Sequence, residues 1–291
     1  MSSAQIELIK QLRDRTGAGL MDCKKAIVAC ENDVEKAIVW LREKGLSKVA
    51  KKANRVAAEG KSWIEESGDD AVIFEVNSET DFVSESPAFG DLVKEIGKVL
   101  IEKKPATLEE ATEMVSSICA DGTMRMGEKI VLRRLKWIHK SAGENIGTYI
   151  HMKGKIAVAV VLKGGDKAFA DDIAVSLCSS LPTYIFESEI PAEVVKKETE
   201  IEIEASKADP KFASKPQAIQ EKIVEGRVRK NLNSQVFVDQ EFILDTSKVV
   251  GQVLKEHGAE IVSTVRFTTG EGIEKTQSDF AAEVAAQLNN K

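Results

Sequence analysis

The first 55 residues carry apolar side chains at helical spacing, in three groups separated by polar or glycine-containing breaks. The groups comprise Ile6, Leu8, Ile9 and Leu12, then Leu20, Met21, Ala26, Ile27 and Cys30, then Val34, Ala37, Ile38 and Leu41. Thr16–Gly19 and Asn32-Asp33 supply the breaks, and Gly45 is a typical helix stop. The pattern therefore predicts a compact three-helix module over residues 1–55.

Residues 56–140 change to short runs rich in β-branched side chains, followed by longer amphipathic stretches. The predicted strands lie at 56–65, 71–77 and 129–138. Ser86-Pro87 supplies an N-cap and a proline for one helix, and Thr107-x-x-Glu110 supplies a capping box for a second. The predicted order is strand, strand, helix, helix, strand.

Residues 141–268 repeat this order. The predicted elements are strands at 145–151 and 156–162, helices at 168–180 and 247–257, and a strand at 261–267. One helix in each set begins with Ala-Phe, at Ala88-Phe89 and Ala168-Phe169. We predict an α+β fold whose two-part core consists of two duplicated subdomains, 56–140 and 141–268.

The two sets differ between the second strand and the following helix. The second set has the plain glycine turn Lys163–Lys167, whereas the first has a longer loop that contains Thr80–Val83. Phe82 either packs into the core, or serves as an exposed contact for a partner. Because the other set closes without such a loop, the comparison favours a functional role but leaves both interpretations open.

Residues 183–240 form an insertion in the second set. Pro191–Lys207 and Pro216–Leu232 are highly charged helical stretches of complementary charge, which predicts an antiparallel helical hairpin. The apolar positions expected to hold it are Val194, Ile201, Ile219 and Ile223. The hairpin is a candidate for dimerisation or partner contact. Residues 269–291 read as a C-terminal arm, with an amphipathic helix that carries Phe280, Val284 and Leu288.

The composition of the chain excludes several classes of function. The chain has 291 residues and a formal net charge of −6, which gives no general attraction to nucleic acid or anionic lipid. It has neither a long uncharged apolar run nor the pattern of a signal peptide, so we expect a cytoplasmic protein. The cysteines include no Cys-x-x-Cys pair and the histidines match no metal spacing, so we expect no metal and no cofactor. No acid, base and nucleophile converge in the pattern, which argues against an enzyme.

The segment 46–56 is the most basic stretch and is predicted to be a connector. Its cations are Lys48, Lys51, Lys52 and Arg55. They favour either a solvated linker face or, as the alternative function, a nucleic-acid-binding or ribosome-associated protein that contacts phosphates through residues 48–55.

Several separated stretches occur together in this chain: Leu12–Ala26, Thr80–Val83, Glu225-Gly226-Arg227 and Gly270–Lys275. With these motifs in this order, the chain resembles the bacterial translation elongation factor Ts family over essentially its whole length. The resemblance implies a guanine nucleotide exchange factor that binds elongation factor Tu in its GDP-bound and nucleotide-free forms. It also implies a ubiquitin-associated-like N-terminal module, a coiled-coil dimerisation hairpin and a C-terminal arm.

The resemblance also implies site residues. The family motif that matches Thr80, Asp81, Phe82 and Val83 lies beside the nucleotide of Tu, where the aromatic ring inserts between helices and the magnesium site is disturbed. Further partner contacts are implied at Leu20, Met21, Lys24, His151, Phe242, Ile243 and Leu244. The sequence departs from the usual family pattern at Ser78-Glu79, where Cys-Gln is frequent, and at Glu241, where proline is usual.

Overall fold

The computed structural model of the chain describes residues 3–207 and 210–274. The fold is α+β and divides into two compact units. The first unit contains the described residues up to Ile138, Ile150–Ala157 and the described residues from Phe267 onward. The second contains His139–Tyr149 and Val158–Arg266. The predicted helix with Phe280, Val284 and Leu288 lies outside the described residues.

Three helices open the first unit: α1 (Ser3–Thr16), α2 (Leu20–Ala29) and α3 (Val34–Lys52). Their buried core consists of Ile9, Leu12, Cys23, Ala26, Ile27, Ala37 and Leu41. Gly17, at a φ of +63°, makes the turn after α1, and the Asp33 carboxylate accepts a hydrogen bond from Lys36 N at 3.0 Å to cap α3. Three helices therefore form as the spacing predicts.

The end of α3 corrects the prediction of a stop at Gly45 and a connector from residue 46. The helix continues through Gly45 to Lys52. A Cβ at residue 45 would lie 1.7 Å from Met124 Sδ, so this glycine permits close packing rather than a turn. Lys52, at the end of α3, also suits the negative end of the helix dipole.

The first sheet follows α3 and contains β1 (Glu59–Ser67), β2 (Asp70–Ser78) and β3 (Val131–His139) in that order. β1 and β2 are antiparallel, with Trp63 opposite Phe74. Between β2 and β3 the chain forms α4 (Asp81–Ser84), α5 (Pro87–Lys103), α6 (Leu108–Met114) and α7 (Ser116–Met126). The buried core between sheet and helices includes Val72, Phe74, Val76, Phe89, Leu92, Val93, Ile96, Leu100, Ala111 and Val115.

The helix predicted to start at Thr107 breaks into two. Thr107 Oγ1 accepts a hydrogen bond from Glu110 N at 3.2 Å, as the capping box predicts. Val115, at φ −100° and ψ 5°, then leaves the helical conformation and separates α6 from α7. Ser116 Oγ donates to the Glu113 carbonyl at 2.7 Å, which satisfies one of the carbonyls that the break leaves free.

The remaining elements are β4 (Glu144–His151), β5 (Ile156–Lys163), α8 (Lys167–Ser180), α9 (Ala192–Lys207), α10 (Pro210–Ala213), α11 (Gln217–Asn233), β6 (Glu241–Phe242), β7 (Asp245–Val249), α12 (Val250–Glu256) and β8 (Glu260–Thr268). β4, β5 and β8 form a second three-stranded sheet in that order. The buried Phe89 and Phe169 occupy the same position in α5 and α8, three residues after the N-cap. Each backbone N–H donates a hydrogen bond to the side chain of that N-cap residue, which is Ser86 in α5 and Asp166 in α8.

The predicted helix over 247–257 starts later than expected. Residues 247–249 belong to β7, which pairs with β6 in an antiparallel hairpin. Asp245 Oδ1 accepts hydrogen bonds from Ser247 N at 3.2 Å and Ser247 Oγ at 2.5 Å. This local bonding holds the start of the segment outside the helix.

The inserted helices α9 and α11 lie side by side and antiparallel. Arg227 pairs with Glu202 at 3.0 Å, and one turn further along Asn231 donates to Glu198 at 3.0 Å. Ile201 and Ile219, which the sequence pattern assigned to the contact between the helices, are instead exposed. The apolar contact is made by Phe212, Val224, Val228 and Leu232 with Ile190, Val194 and Ile223. Among the helices of the described residues, none is long and apolar enough to cross a bilayer.

Candidate partner-binding site

Thr80–Val83 forms a tight turn at the end of β2. Thr80 is the N-cap of α4, and its Oγ1 accepts a hydrogen bond from Val83 N at 3.4 Å, while its carbonyl accepts one from Ser84 N at 3.2 Å. Threonine and aspartate favour the start of a helix because they satisfy its free N–H groups. The sequence of the motif thus dictates its local structure.

Phe82 is the most exposed large apolar side chain of this turn. Its side chain is 88% exposed, whereas the neighbouring Val83 packs against the core of the first unit. The interpretation in which Phe82 packs into the core is therefore wrong. Burial of a phenylalanine contributes about 1.5–3 kcal/mol, and the exposed Phe82 does not gain this free energy within its own chain.

Asp81 also points toward solvent. Its Oδ1 accepts a hydrogen bond from Phe82 N at 2.9 Å, which fixes the carboxylate next to the exposed ring. Asp81, Phe82, Glu85 and Ser86 line a shallow depression of about 240 Å³. The turn thus presents an aromatic ring and a carboxylate side by side.

The predicted contacts of the N-terminal module lie on α2. Leu20 and Met21 are exposed, and Lys24 is half-buried on the same helix. Cys23 and Ile27 face the core of the module instead. The exposed Leu20 and Met21 are therefore free of the module's own packing.

The other predicted contacts occupy two turns. His151 ends β4 and is half-buried, and the exposed Met152 follows it at a φ of +47°. In the second unit, Ile243 and Leu244 are exposed at the turn between β6 and β7, whereas Phe242 is only 6% exposed. Phe242 therefore supports that turn from inside the protein, and its neighbours present the apolar surface.

Sequence reasoning missed Glu128, whose carboxylate holds the start of the Thr80–Val83 turn. Its Oε2 accepts hydrogen bonds from Glu79 N at 3.1 Å and Thr80 N at 3.0 Å, and its Oε1 accepts one from Thr80 Oγ1 at 2.6 Å. Nothing in the sequence pattern connects residues 48 positions apart. Met152 was missed for a similar reason, since its exposure depends on a turn with left-handed backbone.

The basic segment makes contacts within the first unit. Lys52 Nζ donates to the Gly127 carbonyl, and Arg55 Nη1 lies 3.0 Å from Glu79 Oε2. Two of the four cations of the alternative nucleic-acid interface are thus paired with the protein's own groups.

The four cysteines form no disulfide bonds. Cys23, Cys30, Cys119 and Cys178 are all free. Burial raises the pKa of the Cys119 thiol to about 11, which keeps it protonated at neutral pH. Within residues 3–207 and 210–274, no three His, Cys, Asp or Glu side chains are grouped so as to hold a metal ion.

Comparison with known proteins places the chain in one family. A family model described as "Elongation factor TS" matches residues 79–271. The elongation factor Ts of Spiroplasma citri is 40% identical over 289 residues, which cover 97% of this chain and 98% of that protein. Those of Pediococcus pentosaceus and Limosilactobacillus reuteri are 42% and 41% identical, each over 99% of this chain. The family model and the similarity over nearly the whole length lead to the same conclusion: the chain belongs to the elongation factor Ts family of translation elongation factors.

Proposed function

We propose that this chain is a guanine nucleotide exchange factor that binds elongation factor Tu carrying GDP and promotes release of the GDP, so that GTP can load. The observation that carries the proposal is the 88% exposure of Phe82 on a turn whose next residue, Val83, is packed into the core. Such a turn suits insertion of the Phe82 ring into a partner, because the ring is exposed and the backbone beside it is held in place by Val83.

The reaction requires no bond to be made or broken by this chain. An exchange factor binds the nucleotide-free partner more tightly than the nucleotide-bound partner, and by linkage it weakens nucleotide binding by the same factor. Catalytic acids and bases are therefore unnecessary. What is needed is a surface that fits a distorted nucleotide site.

Phe82 alone is insufficient for this task. A nanomolar nucleotide site corresponds to about 12 kcal/mol, whereas burial of one phenylalanine gives about 1.5–3 kcal/mol. We propose that contacts at Leu20, Met21, Lys24, His151 and Phe242–Leu244 provide the remaining free energy. The exposure of Leu20, Met21, Ile243 and Leu244 supports this division of labour.

Asp81 is proposed to act on the magnesium ion that the partner holds beside its nucleotide. Magnesium prefers oxygen ligands in a strict octahedral shell, so an additional carboxylate nearby perturbs that shell. The hydrogen bond from Phe82 N to Asp81 Oδ1 supports the role, because it keeps the carboxylate close to the ring that enters the partner.

We assign the parts of the chain accordingly. Residues 1–55 are the partner-binding module, 56–140 the subdomain that carries the Thr80–Val83 turn, and 141–268 the subdomain that carries the second partner contact. The hairpin within 183–240 is proposed to join two copies of the chain into a homodimer. Its exposed Ile201, Ile203 and Ile219 support that assignment.

Release of a fluorescent GDP analogue from Tu, followed by stopped flow, tests the proposal. The chain is expected to accelerate release in proportion to its concentration and then to saturate. Release at the spontaneous rate, with no complex detected by gel filtration, would contradict the proposal. A mobility-shift titration with RNA and DNA at modest salt addresses the alternative, for which salt-sensitive binding is the signature.

A further inference from the structure

We propose that Glu128 is a positioning residue for nucleotide release: its carboxylate holds the Thr80–Val83 turn so that Phe82 meets the partner in one orientation. The inference rests on the exchange function proposed above. It concerns a residue outside the turn, and it follows from the contacts at the start of α4.

The turn needs an external support. α4 has only four residues, and a helix of that length is unstable by itself. The ring of Phe82 is 88% exposed, so it obtains almost no orientation from packing. Val83 fixes the far side of the turn against the core, which leaves the near side, at Glu79 and Thr80, to be held in another way.

Glu128 holds that near side with three hydrogen bonds. Both oxygens of its carboxylate are used, by two backbone N–H groups and by the Thr80 hydroxyl, at 3.0–3.1 Å and 2.6 Å. Hydrogen bonds to an ionised acceptor are about twice as strong as those between neutral groups. One side chain therefore satisfies the backbone N–H groups that precede the turn and fixes the N-cap side chain.

The contact is reciprocal. Glu79 Oε1 accepts a hydrogen bond from Lys129 N at 2.7 Å, and Glu79 Oε2 lies 3.0 Å from Arg55 Nη1. Each of the two segments, 79–80 and 128–129, therefore donates hydrogen bonds to a glutamate side chain of the other. Two such contacts in opposite directions resist rotation as well as displacement.

The segment that carries Glu128 is itself fixed. Gly127, at a φ of +76°, ends α7, and its carbonyl accepts from Lys52 Nζ. Ile130 N donates to Thr123 Oγ1 at 3.1 Å, within the buried core. Glu128 therefore extends from a rigid corner between α7 and β3, which is the requirement for a residue that orients another.

The chemistry of the contact identifies a conservative variant. In Glu128→Gln, the amide oxygen can accept from both backbone N–H groups, and the amide NH₂ can donate to Thr80 Oγ1, which then serves as acceptor. In Glu128→Ala, all three hydrogen bonds are lost. The exposed Glu113 offers a matched control, Glu113→Ala, in the same unit.

The experiment measures single-turnover GDP release from Tu over a range of factor concentrations. Glu128→Ala is expected to lower the saturating rate about 10-fold, because a loosened turn must be ordered during binding and that cost reduces the free energy gained from burial of the Phe82 ring. The half-saturating concentration should change less, because the other contact surfaces are intact. Glu128→Gln should keep most of the wild-type rate, and Glu113→Ala should match the wild type.

A double-mutant cycle separates positioning from general damage. If Glu128 acts through the turn, Glu128→Ala will cause no further loss in an Asp81→Ala/Phe82→Ala background, in which both proposed contacts of the turn are already removed. Multiplicative losses would overturn the inference, as would a wild-type saturating rate in Glu128→Ala alone. Failure of the wild-type chain to accelerate release would instead refute the exchange function itself.

Thermal unfolding of each variant accompanies the kinetics. Should Glu128→Ala fail to fold, Thr80→Val provides the second variant, since it removes the hydroxyl that donates to Glu128. It is expected to lower the saturating rate in the wild-type background and not in the Asp81→Ala/Phe82→Ala background. An equal loss in both backgrounds would overturn the inference.

Discussion

Arg134 Nε donates a hydrogen bond of 2.6 Å to Glu75 Oε2, and the Glu75 side chain has no exposed surface. The other oxygen accepts from Arg133 Nη1 at 3.0 Å and from Gly270 N at 2.8 Å. Arg134 also lies over the ring of Phe267, 4.2 Å from its centroid. One buried carboxylate therefore joins β2, β3 and the segment that follows β8.

The first prediction concerns this carboxylate. Glu75→Ala should reduce the free energy of unfolding by about 3–5 kcal/mol, because Arg133 and Arg134, both partly buried, lose the buried carboxylate and keep their contacts with residues 268 and 271. Urea unfolding followed by circular dichroism measures the change. Glu113→Ala, at an exposed position, is the control and should change it by less than about 0.5 kcal/mol. A loss below about 1 kcal/mol for Glu75→Ala would show that the network is not a major source of stability.

The second prediction separates two adjacent side chains. Phe82→Ala should leave stability within about 0.5 kcal/mol of wild type, because the ring is exposed, yet slow GDP release from Tu about 10- to 150-fold. Asp81→Ala should also slow GDP release. Val83→Ala should instead lower stability, since Val83 packs against the core. Unchanged stopped-flow release with both Asp81→Ala and Phe82→Ala would remove the turn from the mechanism.

The third prediction concerns the N-terminal module. Leu20→Ala and Met21→Ala remove exposed side chains, so they should raise the factor concentration needed for half-maximal GDP release and, because these contacts contribute free energy to the distortion of the partner, also lower the saturating rate. Ile27→Ala, in the buried core of the module, should lower its stability instead. A fall in the saturating rate with no change in half-saturation would contradict a role in partner affinity.

The fourth prediction uses the raised pKa of Cys119. Burial raises it to about 11, so at pH 8 only about one thiol in a thousand is ionised. Alkylation of Cys119 by iodoacetamide should be at least about 100-fold slower in the native protein than in urea, and should accelerate as the pH approaches 11. Peptide mass spectrometry of timed samples measures this, and equal rates in both states would contradict the raised pKa of Cys119.

The fifth prediction tests the proposed homodimer. Ile203 lines a groove of about 920 Å³ along the helical hairpin and is exposed. Ile203→Glu places a charge on that apolar surface and should convert a dimer to a monomer in sedimentation velocity, while the helical content is unchanged. Lys222→Ala, also on an exposed position of the hairpin, is the control. A dimer that persists in Ile203→Glu would place the interface elsewhere.

Local signals predicted most of the elements, although not every boundary. Ser86 and Asp166 cap the helices that the sequence predicts, and Thr80 caps the short turn that carries Phe82. The prediction of a helix stop at Gly45 was wrong, because the sequence does not distinguish a glycine that permits close packing from a glycine that ends a helix. The distinction depends on Met124, which is distant in sequence.

The pattern of hydrophobic and polar positions along the sequence does not predict long-range polar contacts. Glu75 and Glu128 look like ordinary charged residues in the sequence, yet one is completely buried and the other holds the start of the turn. Their roles depend on donors that tertiary folding brings to them. The same limit applied to the hairpin, where Ile201 on α9 and Ile219 on α11 have suitable spacing but are both exposed.

The hydrogen-bonded turn at Thr80–Val83 has a kinetic consequence. Since the turn is ordered before any encounter, the free protein is already in its binding-competent state, and no fraction of encounters is lost while a loop folds. The rate of exchange is then limited by diffusion of the two proteins and by how often the nucleotide site of the partner opens. In that case mutations that loosen the nucleotide site of the partner should change the exchange rate more than mutations that stiffen this chain further.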